Sequence, residues 1–204
     1  MIPQPPSFIL ASASPRRAEL LRTAGYRFRV LPSPVEEPRR RPRDIPLELW
    51  PTALAFIKAY GVAQSHPRAT VLGADTIVLL DGKVLGKPRH RADARAMLQR
   101  LSGRRHEVIT GLALIRGGGA AGDGHSYQVR LSRAVSICRI RKLRPAWLEA
   151  YLDTGLWRGK AGSYGIQDHN DPWVQLLRGE FSNVVGLPLE LLAHELHILL
   201  EAAT

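Results

Sequence analysis

Two serines and two adjacent arginines, Ser12, Ser14, Arg16 and Arg17, surround the expected start of the first helix. Ser14 is a favourable N-cap residue and Pro15 is well tolerated at the first helical position, so the helix is predicted to begin at Pro15. Backbone N–H groups, the positive end of the helix dipole, hydroxyl groups and two guanidinium groups would then converge, which suits a phosphate. A lone motif of this kind is more often only a capped helix with solvated arginines.

A single carboxylate, Asp75, interrupts the apolar segment 71–78. Because burying an unpaired charge is costly, Asp75 is either hydrogen-bonded as part of the structure or exposed in a cleft as a general base or metal ligand. Both alternatives stay open on the residues alone.

Two later segments carry polar side chains on irregular backbone. Lys87 is predicted to lie in a turn, because the proline that follows it disfavours a helix. Glycines in the segment 159–167 allow close backbone approach, and Gln167 at its end carries both a hydrogen-bond acceptor and donors. Each segment also has an ordinary explanation, as a solvated turn or a flexible loop.

The elements that must position these residues alternate between strand and helix, which predicts one α/β unit. Strands are predicted at 8–11, 27–31, 70–80, 106–115, 129–137 and 173–177. Helices are predicted at 15–24, 47–64, 92–101, 145–152 and from 187 onwards. The glycine-rich segment 117–124 is interpreted as a mobile surface connection without chemistry.

Composition limits the class of protein. The chain has 204 residues, of which 45% are hydrophobic and 23% charged, as in ordinary globular proteins. No apolar run approaches the ~20 residues of a membrane span and the first residues lack a signal-peptide pattern, so we expect no membrane partner and a cytoplasmic location. The single cysteine, Cys138, lies in an apolar strand pattern and is predicted to be core, whereas His194 and His197 are predicted to lie on a helix surface.

The net charge of +11 is compatible with an anionic partner. A nucleic-acid binder is expected to gather basic residues on one face together with aromatic residues for base stacking. Here the basic residues are spread along the chain and aromatic residues make up only 6%. We therefore expect no stable nucleic-acid partner.

Five motifs occur in a fixed order along almost the whole chain: ASASPRR at 11–17, GADT at 73–76, GKP at 86–88, GKAGSYGIQ at 159–167 and VVGLP at 184–188. Together they closely resemble the Maf family of nucleotide pyrophosphatases. The resemblance implies a single domain over 1–204, with an elongated mixed α/β fold of two lobes and a nucleotide-binding cleft between them. It also implies a divalent cation, Mg²⁺ with Mn²⁺ as the alternative, a homodimer, and hydrolysis of a nucleoside triphosphate to the monophosphate and pyrophosphate.

The resemblance also assigns roles by position. Asp75 matches the family's proton acceptor and Glu37 matches a further acidic position near the metal, so both are candidate metal ligands. Arg16, Thr76 and Gln167 match the determinants of base choice, and this trio resembles the branch acting on dTTP and UTP, with base-modified pyrimidine triphosphates as a further substrate class. The residues that match phosphate-side contacts are Ser12, Arg17, Lys58 and Lys87.

The chain departs from the family pattern near the predicted base pocket. Asp168 follows Gln167 where many members have glycine, and the segment 156–158 stands where a Glu-Pro pair is common. A function from another class is a regulator that binds a nucleotide or nucleic acid without catalysis. Asp75 argues against it, because a site that only holds a polyanion gains nothing from a carboxylate unless a metal is present.

Overall fold

The computed structural model describes residues 7–38, 40–117, 127–168 and 173–201. These residues form a mixed α/β fold, as the sequence predicts. The strands are β1 (Phe8–Leu10), β2 (Phe28–Val30), β3 (Thr70–Leu80), β4 (Lys83–Leu85), β5 (Arg105–Gly117), β6 (Tyr127–Ile140) and β7 (Val174–Arg178). The helices are α1 (Pro15–Thr23), α2 (Trp50–Ala63), α3 (Arg91–Leu101), α4 (Pro145–Asp153), α5 (Phe181–Val185) and α6 (Leu189–Glu201), with short 3₁₀ turns at Leu47–Leu49 and Ala161–Ser163.

The seven described strands form one mixed sheet. Its order is β2-β1-β3-β5-β6-β7, and β4 pairs with β3 outside this path. Strand β1 pairs in parallel with both β2 and β3, whereas β4 is antiparallel to β3 and β7 is antiparallel to β6. Parallel pairing places the carboxyl end of β1 beside the first residues of β3, because Leu10 is opposite Leu72.

The chain forms two compact units that alternate along the sequence. The first unit is drawn from Met1–Asp75, Thr110–Arg133 and Gly186–Thr204, and the second from Thr76–Ile109 and Ala134–Val185. Strands β3, β5 and β6 contribute residues to both units. The boundary in β3 falls between Asp75 and Thr76, so two neighbouring candidate site residues belong to different units.

In the first unit, helices cover both faces of the sheet. Successive strand side chains point to opposite faces. Accordingly, Leu10 and Leu72 pack with α1 and α6, whereas Ile9 and Val71 pack with α2. Asp75 has the same parity as Val71, so it lies on the face that α2 covers.

Two glycines let α2 lie directly on the strands. A Cβ added to Gly73 of β3 would come within 2.1 Å of the Ala55 carbonyl oxygen, and one added to Gly111 of β5 within 2.2 Å of the Thr52 nitrogen. Any side chain larger than a hydrogen atom at these positions would push the helix away. The backbone of α2 is therefore held close to β3 and β5.

The core of the second unit is built around aromatic side chains. Tyr151 and Trp173 are each only 2% exposed, and their ring centroids lie 5.1 Å apart. Cys138 is fully buried, which confirms the prediction that it belongs to the core, and burial raises the pKa of its thiol to about 11. Burial also lowers the pKa of His106 from 6.5 to about 4.

The strand and helix predictions hold for most of the chain, with three differences. A short strand, β4, precedes Lys87 where only a turn is predicted, and a separate helix, α5, precedes the last helix. The alternating apolar residues of β6 form the predicted strand, but Val129, Leu131 and Val135 are exposed. Most of the predicted mobile connection at 117–124 lies outside the described residues. No helix within the described ranges is both long and apolar enough to cross a membrane.

Candidate active site

The buried Arg17 is held at the start of α1 by two contacts. Its Nε donates to the Gly186 carbonyl oxygen at 2.8 Å and its Nη1 donates to Ser12 Oγ at 3.0 Å. The helix begins at Pro15 as predicted, but the Ser14 side chain makes no capping hydrogen bond. Instead, the Ser14 N–H donates to Ser12 Oγ at 3.2 Å. The guanidinium and the serine hydroxyl are thus fixed beside one another.

A buried lysine joins the two candidate carboxylates. Lys58 Nζ lies 2.6 Å from Asp75 Oδ1 and 3.0 Å from Glu37 Oε1. The exposed fraction of the side chain is 10% for Lys58 and 12% for Asp75, but 46% for Glu37. Lys58 reaches Asp75 because it lies on α2, one helical turn beyond the close contact of Ala55 with Gly73. The group is therefore enclosed on the side of Asp75 and open on the side of Glu37.

Electrostatic interactions connect these side chains to Arg17. Burial lowers the pKa of Arg17 most strongly, because the charged form loses its hydration. Asp75 and Glu37 oppose that effect and raise the pKa, whereas the neighbouring Arg16 lowers it. Arginine stays charged in proteins even when its pKa is lowered. The group in the first unit therefore has two carboxylates and three cationic side chains, those of Arg16, Arg17 and Lys58.

The two carboxylates have the chemistry of a magnesium ligand pair. Mg²⁺ usually binds one or two carboxylates and completes its coordination with water and substrate phosphates. Glu37 and Asp75 fit this pattern, since their contacts with the same ammonium group bring the two carboxylates close together and Glu37 is accessible. Among the described residues, no three His, Cys, Asp or Glu side chains form a group that could hold a metal ion without further ligands.

The second unit contains the other three predicted site residues. Thr76 is half-buried on β3, whereas Lys87 and Gln167 are exposed. The segment that ends at Gln167 lies against the hairpin of β3 and β4, because the Gly162 N–H donates to the Gly86 carbonyl oxygen at 3.1 Å. The structure therefore places the GKP motif of Lys87 beside residue 162 of the segment that ends at Gln167.

Sequence reasoning missed several residues of both groups. The carbonyl of Gly186 that accepts from Arg17 lies in the VVGLP motif, in which no site residue was predicted, and a backbone carbonyl leaves no signal in a sequence. In the second unit, Lys160 contacts both carboxylate oxygens of Asp168, next to Gln167. The signal that could have found this pair is the departure from the family's glycine at position 168.

His194 and His197 lie exposed on α6, as predicted. His197 Nε2 is 3.1 Å from Glu201 Oε1 along the same helix, an ordinary surface contact.

Comparison with known proteins gives the same family as the five motifs. The chain is 45% identical to the dTTP/UTP pyrophosphatase of Symbiobacterium thermophilum over 181 residues, which cover 89% of this chain and 88% of that one. It is 41% identical to the dTTP/UTP pyrophosphatase of Pyrococcus abyssi over 184 residues, covering 89% and 90% of the two chains. It is 42% identical to that of Bacillus cytotoxicus over 192 residues, covering 93% of each.

A solved structure, that of the Staphylococcus aureus Ham1 protein, aligns with a TM-score of 0.44 and 11% identity over 66% of this chain and 72% of its own, too distant to bear on function. The Maf-like protein family, in contrast, matches residues 7–199, nearly the whole chain. The chain therefore belongs to the Maf family.

Proposed function

We propose that this chain hydrolyses dTTP and UTP to the nucleoside monophosphate and pyrophosphate, with base-modified pyrimidine triphosphates as a further substrate class. Relatives that are 41–45% identical carry the name dTTP/UTP pyrophosphatase. The observation that carries the proposal is the group in the first unit, where Lys58 contacts both Asp75 and Glu37 and Arg17 lies in their field.

Asp75 is assigned as the proton acceptor. Lys58 Nζ contacts Oδ1, so we assign the second oxygen, Oδ2, to the attacking water. The water oxygen bonds to the α-phosphorus, its proton passes to Asp75, and the bond from the α-phosphorus to the bridging oxygen breaks. The leaving pyrophosphate carries away the electron pair of that bond. Without a positioned base, the water would attack as a neutral and poorly oriented molecule.

Cationic side chains stabilise the charge that spreads over the phosphate oxygens. Arg17 is fixed in place by Ser12 and the Gly186 carbonyl, so it is oriented before the substrate arrives. Lys58 holds Asp75, and the family resemblance assigns both Lys58 and Lys87 to the phosphate side. Glu37 and Asp75 would hold Mg²⁺, or alternatively Mn²⁺, which when bound supplies further charge neutralisation to the triphosphate.

Base choice is assigned to Arg16, Thr76 and Gln167. The amide of Gln167 can accept from the N3–H of uracil or thymine and donate to O4. Cytosine presents the opposite donors and acceptors at both positions, so it pairs only if the amide is turned over, and a Gln167 side chain held in one orientation disfavours it. This assignment predicts that UTP is preferred to CTP.

We also propose a homodimer, which the family resemblance implies, a cytoplasmic location, and no stable nucleic-acid partner, since the basic residues are spread along the chain. Sedimentation at two protein concentrations would test the dimer, with a monomer at both contradicting it.

The reaction is tested by incubating the protein with UTP and dTTP in H₂¹⁸O, with Mg²⁺ or with EDTA. We expect monophosphate and pyrophosphate only with the cation, and the ¹⁸O label in the monophosphate, because water attacks the α-phosphorus. A nucleoside diphosphate with orthophosphate would contradict the mechanism. A regulator that only binds nucleotides would give no product under either condition.

A further inference from the structure

Gln167 lies in a tight turn whose two ends contact each other. The Asp168 N–H donates to the Gly165 carbonyl oxygen at 3.2 Å, so Ile166 and Gln167 are the two central residues of the turn. Gln167 is exposed, whereas Asp168, the next residue, is only 5% exposed in its side chain. The position of Gln167 therefore depends on what holds Asp168.

A buried lysine holds the Asp168 carboxylate. Lys160 Nζ contacts both Oδ1 and Oδ2, and only 10% of the Lys160 side chain is exposed. The Tyr151 hydroxyl lies 3.1 Å from Asp168 Oδ2 and 3.2 Å from the Ser163 carbonyl oxygen. Two buried opposite charges with a hydroxyl partner are costly to bring together, and a packed apolar pair is often as stable. Stability alone is thus a poor explanation for this pair, whereas fixing the conformation of the neighbouring turn is a good one.

The backbone around the pair leaves little room for another arrangement. A Cβ added to Gly165 would come within 2.6 Å of Asp168 Oδ1, so the carboxylate occupies the space beside the turn. Gly162 and Ser163 both have left-handed backbone angles, with φ of 68° and 67°. A left-handed serine is strained and persists only where surrounding contacts determine the conformation. Lys160 and Asp168 supply such contacts at the two ends of this segment.

We propose that the ion pair of Lys160 and Asp168 is a specificity-determining device that positions Gln167 for base selection. The inference rests on the proposed function, since it assigns Gln167 to the base. Lys160 and Asp168 act through Gln167 and are positioning residues. Loss of the pair should release the turn, leave the phosphate-side residues of the first unit unchanged, and let CTP compete with UTP.

The test compares UTP with CTP, which differ only in the base, in the wild type, Asp168→Ala, Gln167→Ala and the double variant. We expect Asp168→Ala to lower the kcat/KM ratio of UTP to CTP by about tenfold. The change should lie mainly in KM for UTP, while kcat stays within about threefold of the wild type. In the Gln167→Ala background, Asp168→Ala should lower the ratio no further, because its effect passes through Gln167.

Asp153→Ala is the matched control. It removes an aspartate of the same unit whose Oδ1 accepts from Arg91 at 2.5 Å on an exposed surface, and it should leave the ratio unchanged. Tyr151→Phe removes only the hydroxyl group that contacts Asp168, and it replaces Asp168→Ala in the test if that variant does not fold. We expect it to lower the ratio by about threefold.

Binding of the α,β-methylene analogues of UTP and CTP, measured by calorimetry, separates this inference from the proposed function. If the wild type prefers the UTP analogue but releases no pyrophosphate, the pyrophosphatase function fails and the pair is still judged by the binding ratios of the variants. If the variants keep the wild-type ratio, or if the double variant shows additive losses, the positioning role is wrong. A wild type without preference between the two bases would also overturn it.

Discussion

Each compact unit contains a buried lysine that contacts an aspartate, and the two pairs differ in what surrounds them. The pair of Lys58 and Asp75 joins α2 to β3, and Lys58 also contacts Glu37, which is half exposed. The pair of Lys160 and Asp168 joins residues eight positions apart, and its two side chains are only 10% and 5% exposed.

The difference shows that residue type does not define the role of a buried ion pair. A lysine with two carboxylates, one of them accessible, can exchange a partner when a phosphate or a metal ion arrives. A lysine that contacts both oxygens of one enclosed carboxylate has no such exchange and can only hold the backbone in place. We therefore assign chemistry to the first pair and positioning to the second.

The largest expected effect that separates the pairs is on turnover. Asp75→Asn keeps the shape of the side chain but removes the base, so kcat should fall by about 10²–10⁴-fold for every accepted nucleotide. Nucleotide binding without metal should stay equal or become tighter, because a negative charge near the phosphates is lost. Pyrophosphate release and calorimetry measure the two quantities.

Asp153→Asn is the control for this variant, since its exposed carboxylate lies in the second unit. Near-normal turnover together with a much lower melting temperature would show that Asp75 is structural, and Glu37 would become the next candidate for the base.

The second prediction compares the stability of Lys160→Met with that of Lys58→Met. Lys160→Met leaves the enclosed Asp168 carboxylate with a neutral hydroxyl partner, which should lower the free energy of unfolding by about 3–5 kcal/mol. Lys58→Met also leaves an enclosed carboxylate, Asp75, without its lysine, but the charged Arg17 still interacts with Asp75 and Glu37 can turn towards water, so we expect a smaller loss, below about 3 kcal/mol.

Urea denaturation measures both losses, provided that the dependence of the free energy on urea concentration is unchanged. Equal losses in the two variants would remove the distinction between an open and an enclosed pair.

The third prediction uses pH to examine the interior of the second unit. The pKa of His106 is about 4 in the folded chain, below its ordinary value of 6.5, because burial disfavours the charged ring. Between these two values the unfolded chain binds a proton that the folded chain does not, so stability falls as the pH falls from 6.5 to 4. The contribution is fully present above pH 6.5, and its loss amounts to about 3 kcal/mol at most.

His106→Gln should flatten that part of the dependence of unfolding free energy on pH. An unchanged slope in this variant would mean that other groups cause the acid sensitivity. Tyr164→Phe is a useful companion variant, since the Tyr164 hydroxyl lies 2.6 Å from His106 Nε2 and its loss alters the contact without removing the imidazole.

The smallest expected effect concerns base selection. Gln167→Glu replaces the amide donor with a carboxylate oxygen, so the kcat/KM ratio of UTP to CTP should fall by about tenfold. The overall rate of triphosphate hydrolysis should change less than this ratio. Asp75→Asn, in contrast, should lower the rates for both nucleotides and leave their ratio unchanged. Equal losses of kcat/KM for pyrimidine and purine triphosphates would show that Gln167 does not read the base.

Local signals were sufficient to predict the elements that carry the site. Strand β3 has the predicted bounds of 70 and 80, and α1 begins at Pro15, because hydrophobic periodicity and helix-start residues act within a few positions. Strand β4 was missed because three residues, two of them exposed, are too short for a periodic pattern. The apolar alternation of β6 predicted a strand correctly, but it could not show that Leu131 would be 52% exposed.

The contacts within the site could not be predicted in the same way. The sequence singles out Asp75 as an unusual strand residue, but its partner Lys58 lies on another element and is brought near by helix packing. The carbonyl that holds Arg17 belongs to a residue 169 positions away. The family resemblance supplied the residues of this group, whereas their mutual distances depend on the tertiary structure.

The close approach of Gly73 to the Ala55 carbonyl oxygen makes the spacing between α2 and β3 a determinant of the distance from Lys58 to Asp75. A methyl group at position 73 cannot be accommodated by a side-chain rotation, because the opposing atom is backbone. A Gly73→Ala protein that still folded would carry α2, and with it Lys58, further from Asp75. It would resemble an active-site mutant in its kinetics although residue 73 has no functional group, and a second substitution would restore it only by returning the helix to its original distance from the sheet.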